Sequence, residues 1–429
     1  MRVLLVGGGG REHALAWKLT RSPRIDRLVA APGNPGIGAH ATCVPVADTA
    51  IEELVALAGR ERVDLVVVGP EMPLALGLAD RLRGAGFAVF GPSRAAARLE
   101  SSKAFAKDLM ARHGIPTARF RAFTETAAAH AFCRELGTPL VVKTDGLAAG
   151  KGAIVCRTME EADRAVALCL EERGFGDAGR TIVIEEFMEG EEASFFVLSD
   201  GTSAVPLAAA QDHKTVYDDD EGPNTGGMGA YSPAPLFDRP MQERVMAEIV
   251  WPTIAAMGKE GAPYQGVLYV GLMVTRDGPR VVEFNCRFGD PECQVILPRL
   301  DQDLLPLLLA VATGEGLKAE GLTPSLTWRG ESSICVVLAS GGYPGRYETG
   351  FPIVGTEDAA RLPEVTVFHA GTARRDGALV TAGGRVLGVQ ALGADIAEAS
   401  ARAYAAVGRI SFPGMHWRHD IGRKAIGRR

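Results

Sequence analysis

A carboxylate, a carboxamide and a guanidinium at alternate positions make up the most reactive-looking stretch of the chain: Glu283, Asn285 and Arg287 in RVVEFNCRFGDPE, residues 280–292. In a strand, side chains two residues apart share a face. The alternation of Val281, Glu283 and Asn285 with Val282, Phe284 and Cys286 therefore predicts that Glu283 and Asn285 project together. Two hard oxygen donors so placed suit a divalent cation such as Mg²⁺ that is shared with phosphate oxygens. An edge strand with a solvated polar face has the same pattern. The stretch then predicts a helix start, with Asp290 as its cap and Pro291 at the first helical position.

Cationic and glycine-rich segments upstream favour the phosphate reading. Lys143 ends the apolar run PLVVK and leads into DGLAAGKG, residues 145–152. This is not a Walker A motif, because only three residues separate Gly146 from Gly150, and Gly152 follows Lys151 where Ser or Thr is required. A hairpin of small residues can still fold over phosphates and offer backbone N–H groups without side-chain clash. A flexible hairpin is the alternative; the flanking Lys143 and Lys151 favour an anion. Lys103 falls in a helical stretch over 94–113, closed by Gly114-Ile115-Pro116. IVIEEFMEGEE, residues 182–192, is a strand running into an acidic connector. Such a connector either reads the amino group and ribose of a nucleotide or is simply solvated. YDDDEGPNTGGMGAYSP, residues 217–233, is too long for an incidental loop and predicts a substrate loop.

The elements that must position these groups are legible as alternating strands and helices. Within residues 1–100 the runs VLLV, LVAAPG, VDLVVVGPE and AVFGPS are continuously apolar and end on Gly or Pro. That pattern predicts parallel strands buried on both faces, hence a doubly wound α/β sheet. Gly7 to Gly10 lie at the carboxyl end of the first strand, before a helix over 11–20, where an anion is favoured. The dinucleotide fingerprint fails, because Glu12 and His13 occupy the positions of its third glycine, so a nicotinamide cofactor is not expected. The loop Pro32-Gly33-Asn34-Pro35-Gly36 would lie beside it; it joins in holding a phosphorylated ligand or is an ordinary tight turn. Strands are further predicted over 139–146, 153–158 and 181–187, with helices over 124–136 and 159–173 between them. A helix over 239–259 precedes a hairpin turning at Asp277-Gly278 that delivers Glu283 and Asn285. Residues 328–420 read as a further small α/β unit.

With 429 residues, 47% of them hydrophobic, the chain can bury several cores. Its net charge of −6, with mixed signs, argues against nucleic acid and for small-molecule partners. The seven cysteines are scattered without a CxxC pair, which fits neither a disulfide framework nor a zinc site and predicts a cytoplasmic home. No stretch is long and apolar enough to be expected to cross a bilayer.

Taken together, Lys143, the DGLAAGKG loop, the EEFMEGEE connector and EFNCRFGDPE resemble the ATP-grasp superfamily. GGGGREHAL, PGNPG, QDHK, GPNTGGMGAYSPAP and the closing FPGMHWRHDIG extend the likeness along nearly the whole chain to the phosphoribosylamine-glycine ligase family. The resemblance implies an N-terminal substrate-binding α/β domain over 1–101, an ATP-grasp domain over 102–325 with a lid at about 121–190, and a C-terminal α/β domain over 326–429. It implies ATP-dependent joining of glycine to 5-phosphoribosylamine in purine synthesis, with Mg²⁺ or Mn²⁺. Lys103 and Lys143 would hold ATP phosphates beneath Gly146, Gly150, Lys151 and Gly152. Glu185, Glu186 and Met188 would form the adenine hinge, and Glu192, or its neighbour Glu191, would take the ribose. Glu283 and Asn285 would ligate the metal and Arg287 would meet a substrate carboxylate. Gly8, Gly9 and Gly10 with Gly33, Asn34, Pro35 and Gly36 would take the ribose phosphate. Asp212, His213, Lys214 and the Asn224 to Gly229 loop, Thr225, Gly226 and Gly227 among it, would line the place where glycine and amine meet.

Thr215 stands where that family usually carries Arg, Asp218-Asp219-Asp220 is more acidic than usual, and Lys424 stands where Arg is common. These departures weaken any role for a basic group at 215. A ligase or carboxylase with other substrates, and a non-catalytic nucleotide binder, are the rival readings; paired metal donors beside Lys143 argue against the second.

Overall fold

Side chains of the first strand alternate between two separate cores, and this decides the first layer of the molecule. The computed structural model describes residues 1–147, 152–172, 174, 176–314, 316–317 and 326–426. Strands Thr42–Cys43, Arg27–Pro32, Arg2–Gly7, Leu65–Val68 and Ala88–Phe90 lie in that order, all parallel. Leu4, Val6 and Val66 face Leu54, Leu57 and Leu82 of helices Ile51–Glu61 and Leu78–Gly84. Val3, Leu5 and Val67 face Leu15 and Leu19 of helix Gly10–Leu19 and Leu304 and Leu308 of helix Leu304–Thr313. Burying such side chains on both faces, at about 1.5–3 kcal/mol each, is what the continuous apolar runs accomplish. Leu304–Thr313 is apolar almost all round because it also packs on the antiparallel sheet beyond.

Two four-stranded antiparallel sheets follow. In the first, Phe120–Phe123, Ile182–Glu186, Leu140–Thr144 and Ala153–Cys156 lie in that order beneath helices Thr126–Leu136 and Met159–Leu170. Phe120–Phe123 escaped the sequence reading because it is a short, half-exposed edge strand. In the second, the order is Ala204–Pro206, Glu191–Asp200, Gln265–Thr275, Gly278–Asn285. Its last pair carries a bulge: Glu283 lies opposite Gly271 and Val281 opposite Leu272, so Val282 is an extra residue. Val281 consequently enters the core with Leu272 and Phe284 and does not share the face of Glu283 and Asn285.

Helix geometry also departs from expectation in three places. Residues 94–113 contain two helices, Arg98–Ser101 and Lys103–Arg112, broken at Ser102, whose extended backbone lets its hydroxyl accept the Phe105 N–H at 3.2 Å. The helix after residue 238 runs from Arg239–Val245 through a π turn, Met246–Val250, into Trp251–Lys259; Pro252 has no N–H for the carbonyl four residues back. After the hairpin, the helix begins one residue later than expected, at Glu292 with Pro291 as its cap residue.

A five-stranded sheet orders Gln211–Asp212, Gly229–Ser232, Ser332–Ala339, Arg385–Gly393 and Val365–His369, all antiparallel, with helix Ile396–Val407 packed on one face, and Thr372–Arg375 pairs with Ala378–Thr381 in a separate two-stranded sheet. The expected substrate loop thus ends in a strand: Gly229–Ser232 is buried throughout. Among the described residues, no helix is long and apolar enough to cross a membrane.

Candidate active site

Between the two four-stranded sheets lies a cavity of about 530 Å³, within the range of small-molecule sites. The first sheet and its connector contribute Lys143, Gly146, Gly152, Glu185, Glu186 and Met188. Helix Lys103–Arg112 contributes Lys103 and Lys107, and the second sheet contributes Glu192, Glu283 and Asn285. Asp212, Lys214, Asn224, Thr225, Gly226 and Arg287 also line it as the sequence analysis expected, whereas His213, expected beside them, is buried away from the cavity.

At one end, cations gather around a single carboxylate. Lys143 Nζ donates to Glu185 Oε2 at 3.0 Å and to the Val282 carbonyl at 3.1 Å. Lys107 Nζ lies 2.8 Å from the same Glu185 oxygen, and burial pulls its ammonium down to about 8 in spite of that partner. Lys103 Nζ donates to the Gly146 carbonyl at 3.2 Å. Two ammonium groups on one carboxylate, with Lys103 beside them on a neutral carbonyl, make this end suited to a polyphosphate. Glu186 is engaged elsewhere: it accepts the Arg119 N–H at 2.9 Å and pairs with Arg280 at 2.9 Å.

The middle of the cleft carries the oxygen donors. Burial pushes the Glu283 carboxyl up, but Lys214, Lys103, Lys143 and Arg287 outweigh it and hold the group below the usual range. Asn285 is buried, and its Oδ1 accepts from Arg287 Nη2 at 3.2 Å. Among the described residues, no group of three His, Cys, Asp or Glu side chains is placed to hold a metal. An anionic carboxylate beside an amide oxygen nonetheless fits a hard cation that takes its remaining ligands from phosphates and water.

At the other end, Arg287 lies 2.9 Å from Glu100 and 3.2 Å from Glu71. Burial raises the Glu100 carboxyl to about 7 despite Arg287. Burial also acts on Glu71, but Arg287 and Arg11 overcome it and hold the group at about 2. Across the cleft, burial raises Asp212 to about 7. Lys214 lies 3.9 Å from Asp212 and 2.5 Å from Glu192; burial opposes its charge, but these two carboxylates lift its ammonium well above the ordinary value. The Asn224–Gly227 turn is anchored from both sides. The Thr225 N–H and hydroxyl both donate to the Lys214 carbonyl at 2.7 Å, the Gly226 N–H donates to Tyr343 Oη at 3.0 Å, and Arg385 Nη1 donates to the Gly226 carbonyl at 2.6 Å. Gly227 has φ +112°, and a Cβ there would lie 2.5 Å from Pro291 Cδ, so only glycine passes.

The N-terminal loops stand apart. Gly8, Gly9, Gly10, Gly33, Asn34, Pro35 and Gly36 do not line the cavity, nor does Gly227. Asn34 is occupied in shaping them: its Nδ2 donates to the carbonyls of Gly8 and His369, and its Oδ1 accepts from Gly36 and Ile37, all at 2.9 Å. The Gly9 N–H donates to Glu12 Oε2 at 2.7 Å, so part of the helix terminus is already neutralised by the chain itself. These loops adjoin the cleft at Asp290, whose Oδ2 lies 3.6 Å from where a Cβ of Gly9 would be. Gly150 and Lys151 lie outside the described residues.

Glu71, Glu100, Lys107, Asp290, Glu292, Tyr343, Tyr347 and Arg385 also line the cavity without having been singled out. A signal existed for two of them. Glu71 follows the carboxyl end of a parallel strand, where open α/β sheets bind ligands, and Lys107 lies one helical turn beyond Lys103. Arg385 and Tyr343 arrive from a distant unit, and nothing local marks them.

Family models match almost from end to end: the N domain of phosphoribosylglycinamide synthetase over residues 1–100, its ATP-grasp (A) domain over 101–293 and its C domain over 333–424. The chain belongs to the phosphoribosylglycinamide synthetase family. It is 54% identical over 430 residues to a protein of Rhizobium meliloti named phosphoribosylamine–glycine ligase, covering all of this chain and 99% of that one. A Salmonella typhimurium protein of the same name is 50% identical over 432 residues, with the same coverage. Among solved structures, phosphoribosylamine–glycine ligase from Thermotoga maritima is similar with a TM-score of 0.86 and 32% identity, covering 98% of this chain and 100% of that one. The three-part architecture, the central ATP-grasp fold and ligase activity are those of this family.

Proposed function

We propose that this protein carries out the ATP-dependent ligation of glycine to 5-phosphoribosylamine in purine biosynthesis, and that it does so through glycyl phosphate. One observation carries the reading: Lys103, Lys143 and the donors Glu283 and Asn285 share a cavity with Arg287, so nucleotide phosphates and a small carboxylate meet there. A carboxylate does not acylate an amine directly, because oxide is a poor leaving group. A glycine carboxylate oxygen therefore attacks the γ-phosphorus, the bond to the β–γ bridging oxygen breaks, and ADP leaves. The amine then attacks the glycyl carbonyl carbon, and the carbon–oxygen bond to phosphate breaks.

In this reading Lys103 and Lys143 neutralise the transferring phosphoryl group, and Gly146, Gly150, Lys151 and Gly152 cover it. The backbone of Glu185 and Glu186, whose side chains are held by other partners, and Met188 face the adenine, and Glu192 the ribose. Glu283 and Asn285 would hold Mg²⁺ or Mn²⁺, which supplies further charge neutralisation at the phosphates. Arg287 orients the glycine carboxylate. Asp212, raised to about 7 by burial, takes the proton that the attacking amine releases, with Lys214 and Asn224 beside it. Thr225, Gly226 and Gly227, with Gly8, Gly9 and Gly10 and the 33–36 loop, hold the phosphoribosylamine. All seven cysteines are unpaired, which supports a cytoplasmic setting.

Glycine labelled with heavy oxygen in its carboxylate tests the route. Each turnover should give phosphate carrying one labelled oxygen, with the other retained in the amide. Unlabelled phosphate would sink the acyl phosphate, and ADP release independent of glycine or phosphoribosylamine would sink the substrate assignment.

A further inference from the structure

The segment between Asp212 and Gly229 is a hairpin, and its tip is bound by the C-terminal tail. Thr215 bridges to Asn224, Val216 N–H donates to the Pro223 carbonyl at 3.1 Å, and Met228 N–H to the His213 carbonyl at 2.8 Å. The base of this hairpin carries Lys214, Asn224, Thr225 and Gly226 of the cleft, and its tip is Asp218–Asp220. Arg418 is completely buried. Its Nε and Nη2 form a fork on the two oxygens of Asp420, each at 2.7 Å, and Nη2 also reaches Asp220 Oδ1 at 3.1 Å. Its Nη1 donates to the hydroxyl of Thr215 at 2.8 Å and to the Thr215 carbonyl at 3.2 Å.

The surrounding bonds join tail and tip in both directions. Asp218 Oδ1 accepts the His419 N–H at 2.7 Å, and the Asp219 N–H donates to Asp420 Oδ2 at 3.0 Å. Arg423 pairs with Asp219 and Lys424 with Asp220. The tail itself is fixed to the C-terminal core: Ile421 and Ala425 are buried in it, the Tyr404 hydroxyl donates to the Arg418 carbonyl at 2.8 Å, and His416 exchanges backbone bonds with Ala339. The unusual residues of this chain therefore compensate one another. Thr215 supplies a hydroxyl where a second cation would crowd a buried guanidinium, and the acidic run supplies the anions that Arg418, Arg423 and Lys424 require.

We propose that Arg418 is a positioning residue, acting through Thr215 and Asp220 to set the hairpin, and with it Asn224–Gly226, over the cleft. The kinetic part rests on the function proposed above; the mechanical part does not. Because Arg418 is fully buried, its removal would unsettle the C-terminal core, so the test uses its partners in the full-length enzyme. Thr215→Val and Asp220→Asn should each speed amide hydrogen exchange across residues 214–228 about tenfold or more while leaving the other sheets protected. They should lower kcat/KM for phosphoribosylamine about tenfold and leave the KM for ATP within about twofold. Thr215→Ser, which keeps the hydroxyl, should restore both readouts. Unchanged exchange in Thr215→Val and Asp220→Asn would overturn the proposal. So would a loss shared equally by ATP and phosphoribosylamine, or a Thr215→Ser variant as impaired as Thr215→Val. Wild-type enzyme lacking turnover on these substrates would count against the proposed function alone, because hydrogen exchange reads the latch without turnover.

Discussion

At the lysine end of the cleft two ammonium groups, Lys107 and Lys143, share one carboxylate, Glu185, with Lys103 on the Gly146 carbonyl nearby, whereas at the far end one guanidinium, Arg287, lies between two carboxylates, Glu100 and Glu71. The first arrangement has charge left over and gains when phosphates arrive. The second is already compensated, so a substrate carboxylate must compete for Arg287 with groups the protein itself supplies. Side chains at the first end should therefore act on phosphoryl transfer and ATP affinity, and side chains at the second on the affinity and pH dependence of the small carboxylate.

The largest effect belongs between the two ends. Glu283→Ala should reduce kcat by about 10³-fold or more, and Asn285→Ala by about 10²-fold, with the thermal midpoint of unfolding little changed, since both side chains face the cavity. Undiminished turnover of Asn285→Ala at low Mg²⁺ would remove the metal pair from the reading. Next, Lys143→Met should lower kcat/KM for ATP by about 10²-fold and leave the glycine requirement alone. Lys107→Met should cost less, because the Lys107 ammonium is turned to Glu185 and the Thr117 hydroxyl, each at 2.8 Å; equal losses in the two variants would break the distinction between a phosphate ligand and its support.

Arg287→Lys sharpens the contrast from the other side. A lysine keeps the charge but cannot fork onto a carboxylate, so the KM for glycine should rise about 10- to 30-fold while that for ATP stays within about twofold. Steady-state ADP release with each substrate varied in turn separates these outcomes. Equal rises would place Arg287 on phosphates and erase the difference between the two ends.

What the sequence reveals follows the range of the forces involved. Glu283 and Asn285 are legible because strand periodicity is local, and the parallel N-terminal sheet is legible because burial on both faces demands continuous apolar runs. The bulge at Val282 is not, since it depends on how the strand meets Gly271 and Leu272. Ser102 shows its capping role only once the break before Lys103 is seen. Thr215 and Asp218–Asp220 stand out as departures, yet their meaning lies in Arg418, about two hundred residues away, and no local pattern connects them. Gly226 is likewise a recognisable part of a motif, while the Arg385 and Tyr343 that hold it come from the C-terminal unit.

The smallest expected effect tests the compensated end most directly. Burial raises Glu100 to about 7, above the ordinary carboxylate value, so it is the neighbour of Arg287 that can give up its charge; Glu71, held at about 2, cannot. A raised carboxyl is protonated below its own value and ionised above it. As pH falls from 8 to 6, Glu100 therefore gains a proton, its hold on Arg287 weakens, and the guanidinium becomes freer to bind glycine. The KM for glycine should fall over that interval by a few fold, within the roughly tenfold change in the protonated fraction of a group that titrates at about 7. Asp212, also raised to about 7, works in the opposite sense, because its protonation removes the proton acceptor and lowers kcat. Separate pH profiles of KM and kcat keep the two apart. Glu100→Gln should flatten the first profile and leave the second, whereas a glycine KM that still falls with acid in Glu100→Gln would mean that Arg287 is not the group whose release is being read.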